Sequence, residues 1–242
     1  MQNETDVINS FDEIAKTTKI NTKTQGWAAT NHYYKKSLDL CLTNNANILD
    51  IGCGQGDFIR LATKSGFSCT GIDFSPEMIK KAESVNADTS NKCKFICGNA
   101  YDILLNMPEN SFDVAYSFAA MHHMDYTKIV PLLSKCIKKD GIFVVVDLYD
   151  NNSSFIDLLM KAAGFIPARL KSLKNNKITN SDIDLKTSQR NHKAWEDHWS
   201  KLDIGLGLIV PLKEIKKRIK STGYEFEVKR LLYFRYMAII HF

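Results

Sequence analysis

The sequence predicts an α/β fold built on one doubly wound, mostly parallel sheet, and three observations carry that expectation. Short apolar runs alternate with helical patterns over roughly the first 150 residues. The first run leads into a glycine-rich turn, Gly52-Cys53-Gly54-Gln55-Gly56, and Asp73 follows about one helix later. The run 142–148 is nearly unbroken apolar, as a strand covered on both faces requires.

Taken in order, the chain opens with helical spacing: Val7, Phe11 and Ile14, then Tyr34, Leu38 and Cys41. Strands one to four are expected at residues 47–51, 68–72, 94–97 and 112–117, each followed by a turn or a helical stretch. A helix is expected at 129–137, and Lys139-Asp140-Gly141 reads as a turn opening the fifth strand. Phe155, Leu158, Leu159 and Ala162 suit a short amphipathic helix that Gly164 and Pro167 end. A polar stretch rich in lysine and asparagine runs on to about Arg190, and Trp195 and Trp199 share one helical face. A helix at 212–220 precedes two runs, 225–231 and 236–242, close enough to pair as an antiparallel hairpin. The expected whole is one domain with seven strands, the last antiparallel. Residues 1–45 form an N-terminal helical lid, 46–149 the cofactor-binding core, 150–205 a helical cap inserted after strand five, and 206–242 the closing helix and hairpin.

Composition narrows the class. A chain of 242 residues, 44% hydrophobic, can bury one sizeable core. No apolar run approaches the roughly 18 residues of a membrane span, and the polar opening MQNETDVINS lacks the order of a signal peptide. A cytoplasmic protein is expected. The six cysteines form no CxxC pair, so neither a zinc knuckle nor a disulfide framework is suggested. Residues 161–193 carry eight basic side chains against two acidic ones, a net of +6; the chain as a whole is +5, so the remainder sums to −1. Basicity therefore belongs to one segment and not to the fold.

The chemistry is concentrated between Ile48 and Phe58. A strand that runs into glycines and then a helix presents bare backbone at its carboxyl end, where open α/β sheets bind ligands. Asp73, ending the second strand, is placed to accept hydrogen bonds from both ribose hydroxyls of an adenosine.

Asp50-Ile51-Gly52-Cys53-Gly54-Gln55-Gly56 resembles the first motif of the class I, Rossmann-like, S-adenosylmethionine-dependent methyltransferases of the type 11, UbiE-like branch. Gly71-Ile72-Asp73-Phe74-Ser75-Pro76-Glu77-Met78 resembles their second. Gly98-Asn99-Ala100 is similar to the adenine-contacting turn, Phe112 to Ser117 to the fourth strand, Met121-His122-His123-Met124 to the segment beyond it, and 138–148 to the fifth strand. The resemblance covers about residues 46–150. It implies S-adenosyl-L-methionine as cofactor, held by Asp50, Gly52, Cys53, Gly54, Asp73, Phe74, Asn99, Ala100, Ser117 and Phe118. The family often has aspartate where this chain has Asn99, whose oxygen still accepts a bond from the adenine amino group.

His122 and His123 are candidates for a general base, against the plainer reading that they satisfy local hydrogen bonds. Asp147, Asp150 and Asn151 lack a further carboxylate at matching spacing, so no metal is expected. Trp27, Tyr33 and Tyr34 suggest that residues 25–34 fold over the cofactor, or else pack on the outer sheet face. A dinucleotide-binding dehydrogenase would want its third glycine at Asp57. The expected function is methyl transfer to a small-molecule acceptor by a monomer or weak homodimer, without membrane contact. Two alternatives stay open: an RNA methyltransferase, motivated by the +6 segment but lacking NPPY-like or Pro-Cys motifs, and a non-catalytic cofactor-binding subunit.

Overall fold

A computed structural model describes residues 4–17, 28–41, 43, 45–150, 209–231 and 235–242. Trp27, the helix expected from Phe155 to Ala162, the basic stretch, and Trp195 with Trp199 lie outside the described residues. The described elements are α1 (Glu4–Thr17), α2 (Ala28–Leu38), β1 (Asn47–Ile51), α3 (Asp57–Lys64), β2 (Ser68–Asp73), α4 (Pro76–Val85), β3 (Cys93–Cys97), α5 (Ala100–Leu105), β4 (Phe112–Phe118), α6 (Tyr126–Cys136), β5 (Ile137–Leu148), α7 (Leu212–Lys220), β6 (Phe226–Arg230) and β7 (Arg235–His241).

The strands form one seven-stranded sheet in the order β3-β2-β1-β4-β5-β7-β6. β1 to β5 are parallel, and β7 runs antiparallel to both β5 and β6. Side chains alternate across it: Leu49 and Ile51 of β1 join Ile129, Leu133, Ile215 and Ile219 on the α6 and α7 face, whereas Ile48 joins Phe58, Ile59 and Ala62 on the α3 face. Along β7, Tyr236, Ala238 and Ile240 take the first face, and Met237 and Ile239 the second. Phe143 to Val146 of β5 are all buried, so the unbroken apolar run does mark a strand with both faces covered.

Two polar ties cross the layers. The Tyr116 hydroxyl donates to the Ser37 carbonyl at 3.0 Å, fixing the end of α2, and the Tyr126 and Tyr236 hydroxyls meet at 2.6 Å between α6 and β7. Among the described residues no helix is long and apolar enough to cross a membrane.

The structure departs from the expected element borders in two places. α2 ends at Leu38, so Cys41 lies beyond it. Residues 139–141 do not separate a helix from β5; they are a bulge within the extended segment. Phe112 faces Ile137 while Val114 already faces Ile142, so β5 carries extra residues against β4. Asp140 absorbs them at φ +67°, and its amide donates to the Phe242 carbonyl. Gly141 passes the bulge close to backbone: a Cβ there would come within 2.7 Å of the Asp113 carbonyl oxygen and 2.9 Å of that of Lys138, neither of which can swing away. Gly141→Ala is therefore expected to destabilise the fold by roughly 1–3 kcal/mol, the usual cost of overpacking, read as a lower urea midpoint with unchanged slope.

Candidate functional site

The sheet reverses its winding between β1 and β4, and at such a point open α/β sheets bind ligands in the crevice outside the carboxyl ends of the strands. The loop from β1 to α3 shapes its wall. Gly52, Gly54 and Gly56 take φ of +71°, +50° and +75°, a region that side chains enter only under strain. The Gly52 and Cys53 amides both donate to the Ile72 carbonyl, at 2.8 and 3.0 Å, and the Gly54 amide donates to Asp73 Oδ2 at 2.8 Å. The loop is thus tied to the end of β2. The three glycines serve different ends. A Cβ on Gly52 would strike Ala120, and one on Gly56 would press on Asn86, Ala82 and Phe95, so these two let protein pack against protein. A Cβ on Gly54 would meet nothing within 4 Å, so this glycine presents the open backbone.

Two buried carboxylates flank that backbone. Asp50, in β1 between Gly71 of β2 and Tyr116 of β4, is 2% exposed, and its Oδ1 has no hydrogen-bond partner among the described residues. Burial first, and the Asp73 charge second, push its carboxyl up to about 8. Asp73 is raised by burial too, but the amides of Ser75 and Gly54 oppose the shift. Its Oδ1 accepts from the Ser75 amide at 3.0 Å. Helix α4 is capped independently, since the Ser75 side chain accepts from the Met78 amide at 3.1 Å. The Asp73 oxygens keep further lone pairs. Cys53 is buried behind this corner, its thiol held well above the usual range by burial and then by the two aspartates.

The remaining expected residues sit around the same crevice in unequal roles. Phe74 follows Asp73 at the surface of the wall. Asn99 caps α5, its Oδ1 accepting from the Tyr101 amide at 2.9 Å, and Ala100 is the first residue of that helix. The Ser117 hydroxyl donates to the Ile51 carbonyl at 2.9 Å and ties β4 to β1. Phe118, ending β4, packs against Phe58 and Tyr34, with ring centroids 4.6 Å apart in both cases.

The histidines differ sharply from one another. The His122 backbone amide donates to Asp147 Oδ2, and its Nδ1 lies 2.8 Å from Asp147 Oδ1. A carboxylate only accepts, so Nδ1 carries a proton in this contact. Asp147, at the end of β5, is wholly buried, and its Oδ1 also accepts from the Leu148 amide. His123 is stacked at a tilt on His122, 4.1 Å between centroids, and faces the aromatic ring of Phe11 at 5.6 Å.

Sequence reasoning missed two parts of the site. Asp147 was weighed only as a metal ligand, although an aspartate closing an apolar strand is the signal that marks it. The sequence leaves residues 25–34 open between folding over the cofactor and packing on the outer sheet face. Of these, Tyr33 is buried against the sheet layer and Tyr34 meets Phe58 and Phe118. It is α1 that reaches the Asp73 corner, with the Phe11 ring edge-on to Phe74 at 5.4 Å and Asp12 Oδ1 accepting from the Ser75 hydroxyl at 2.5 Å. Among the described residues no group of three or more His, Cys, Asp or Glu side chains converges as metal ligands would.

Residues 49–145 match a family described as methyltransferase domain. The 2-methyl-6-phytyl-1,4-hydroquinone methyltransferase of Synechocystis sp. is 36% identical over 108 residues, which cover 44% of this chain and 33% of that protein. The 27-O-demethylrifamycin SV methyltransferase of Amycolatopsis mediterranei is 31% identical over 104 residues, covering 41% of this chain and 38% of the other. The chain thus spans little more than a third of the length of these curated relatives. In fold it resembles the solved PH0226 protein of Pyrococcus horikoshii, with a TM-score of 0.61 at 16% identity over 95% of this chain and 98% of that one.

The different surroundings of the glycines have a measurable consequence. Gly54→Ala carries only the strain of a left-handed alanine, about 1 kcal/mol, whereas Gly52→Ala adds a clash with Ala120 of roughly 1–3 kcal/mol more. Urea titration of the two variants is expected to separate them in that order.

Proposed function

We propose, from the premise that this chain belongs to the class I S-adenosylmethionine-dependent methyltransferase family, that it binds S-adenosyl-L-methionine at the carboxyl ends of β1, β2 and β4 and directs its methyl group to a small-molecule acceptor. One observation carries the reading. A buried Asp50 oxygen without a hydrogen-bond partner among the described residues flanks the open backbone of Gly54, and Asp73 is fixed at the end of the next strand. Those donors and acceptors fit the cofactor. Asp73 has lone pairs for ribose hydroxyls, Asp50 suits the cationic methionine end, and Phe74 offers a flat wall for the purine. The second lone pair of Asn99 Oδ1 suits the adenine amino group. Gly52, Cys53 and Ala100 contribute backbone, and Ser117 and Phe118 shape the floor.

When bound, the cofactor supplies a methyl group already activated on a sulfonium. The chain's own residues therefore need chiefly to align the acceptor and exclude water. His122 adds a base. With Nδ1–H given to Asp147, Nε2 is the nitrogen that accepts a proton from a hydroxyl or ammonium acceptor, and Asp147 stabilises the resulting imidazolium. His123 lines the same turn. Residues 1–45 act as lid and 150–205 as cap, and the protein works in the cytoplasm as a monomer or weak homodimer. Two relatives named for a hydroquinone and a rifamycin support a small acceptor. The exposed lysines of α7, Lys213, Lys216, Lys217 and Lys220, keep an RNA acceptor as the rival outcome.

Calorimetry with S-adenosylhomocysteine and S-adenosylmethionine is expected to give micromolar affinity, near roughly −8 kcal/mol. Asp73→Ala removes the acceptor of two ribose bonds and should weaken binding by about 2–3 kcal/mol. Asp50 holds its proton below about pH 8, and the cationic methionine end favours the ionised form, so binding at neutral pH releases that proton. Affinity should therefore rise with pH and level off above 8, and the binding heat at pH 7 should vary with buffer ionisation enthalpy. Both effects should vanish in Asp50→Asn. A pH-independent affinity in the wild type counts against this role of Asp50.

The acceptor class is tested with methyl-labelled S-adenosylmethionine and whole-cell extract. Label recovered in the low-mass fraction is expected. Label in RNA, with binding that falls steeply as salt rises, would overturn the small-molecule reading.

A further inference from the structure

Helices α5, α6 and α7 cover one face of the sheet, and their inward side chains, such as Leu104, Ile129 and Ile215, belong to a single apolar cluster. α5 packs on α6 and α6 on α7, so the three form a continuous layer. The outer surface of this layer is strongly basic. Its helices carry seven basic residues, Lys128 and Lys135 on α6 and Lys213, Lys216, Lys217, Arg218 and Lys220 on α7, against two acidic ones, Asp102 and Glu214. All six lysines are exposed, and Glu214 is paired with Arg218 at 3.2 Å. Glu109 and Asp125 stand at the borders, and the Asp125 carboxylate accepts from the amide and hydroxyl of Thr127. The other side of the molecule differs: α1 to α4 carry seven basic and seven acidic residues. The layer also holds the one large apolar side chain that is exposed among the described residues, Leu105 at the end of α5, 66% exposed. Leu105 lines a depression together with Lys128 and Leu132.

We propose that the α5–α7 layer docks on an anionic lipid bilayer, its lysines against the headgroups and Leu105 and Leu132 reaching beneath them. The chemistry of the layer favours lipid over RNA. Six of its seven cations are lysines, compact charges on flexible stems, and its one arginine is already in an ion pair. An array of fluid headgroups asks only for charge density, whereas RNA is held by guanidinium forks on phosphates and by exposed rings on bases. Among the described residues the layer exposes no aromatic ring. A leucine exposed amid lysines is the pairing of apolar and cationic groups that interfacial surfaces use. Because α1 to α4 carry balanced charge, the attraction is one-sided and orients the molecule. α5 begins just past β3, α6 begins beyond β4, and α7 follows Pro211, which bridges to Asp150 just past β5. The layer therefore runs up to the carboxyl ends of the strands, and a bilayer against it lies beside the crevice. This departs from the expectation of no membrane contact, which rested on the lack of a spanning run; a chain need not span a bilayer to sit on it.

The experiment uses the full chain and two kinds of vesicle, phosphatidylcholine alone and phosphatidylcholine with about one third phosphatidylglycerol, read by cosedimentation. Binding to the anionic vesicles is expected, with little to the neutral ones. It should fall by about tenfold or more between about 0.05 and about 0.5 M salt, as the charges are screened. The triple variant Lys213→Gln, Lys217→Gln, Lys220→Gln should bind about a hundredfold more weakly, and Leu105→Gln about fivefold more weakly. Melting temperature and S-adenosylhomocysteine affinity should stay at wild-type values in both, because these side chains are exposed and away from the crevice loops. Equal binding to both vesicles, or none to either, overturns the proposal. Undiminished binding by the triple variant overturns it too, and assigns the attraction to the basic stretch 161–193. Preference for mixed tRNA fragments over anionic vesicles, lost in the triple variant, would make the layer an RNA surface instead. The cofactor reading stands apart from all of these outcomes, since calorimetry with S-adenosylhomocysteine tests it without lipid.

Discussion

Asp73 takes one backbone amide from the loop after β1, that of Gly54, and one from the turn before α4, that of Ser75. Through these two bonds a single carboxylate fixes the relative heights of β1, β2 and α4 at the mouth of the crevice. The Ile72 carbonyl, one residue earlier, reinforces it by accepting from Gly52 and Cys53. Removing the carboxylate would leave two amides unsatisfied in a largely buried corner, a cost comparable to a lost buried hydrogen bond for each. The glycine loop holds its left-handed turns because its ends are held in this way, and the Gly54 backbone is open because the loop has nowhere else to go.

The same corner explains the electrostatics. Two carboxylates lie in a buried pocket whose described hydrogen-bond donors to them are backbone amides, and those amides all go to Asp73. Asp73 is thereby stabilised as an anion, and Asp50 bears the burden of burial and of its neighbour's charge. An anion placed beside a buried carboxyl that resists ionisation creates a site that gains most from a cation. At the other side of the sheet end, Asp147 is treated in the opposite way: His122 and the Leu148 amide donate to it from within the protein. One carboxylate keeps an oxygen without a donor among the described residues and another is given to a histidine, and the division follows from which donors the adjoining turns supply.

Most of the sheet was legible in the sequence because its signals are local. Alternation, buried runs and glycine turns depend on residues near in the chain, and so β1 and the closing helix and hairpin follow directly from the pattern. The glycine loop after β1 and the aspartate ending β2 were legible for the same reason, as a compact motif. What escaped the sequence was set by contacts between distant segments. The Lys139-Asp140-Gly141 signal for a turn was real, but pairing with β4 and β7 on both sides turned it into a bulge. Asp147 and His122 are 25 residues apart and meet only because β5 lies beside β4. Phe11 and Phe74 are further apart still, and helical periodicity alone shows that Phe11 faces inward without showing what it faces.

This distribution has a chemical reason. Displacing a methyl group from a sulfonium demands alignment and dryness more than any particular nucleophile or acid in the protein. The residues proposed to hold the donor lie on loops tied together by backbone hydrogen bonds, and they fall inside the stretch that matches a methyltransferase domain, 49–145. Helix α1 carries no such constraint. α1 lies outside that stretch, packs along α4 with Ala15 buried, and reaches the Asp73 corner through Phe11 and Asp12. On the proposed reading, the methyl donor is written in the stretch 49–145 that builds the switch point of the sheet, and acceptor choice outside it.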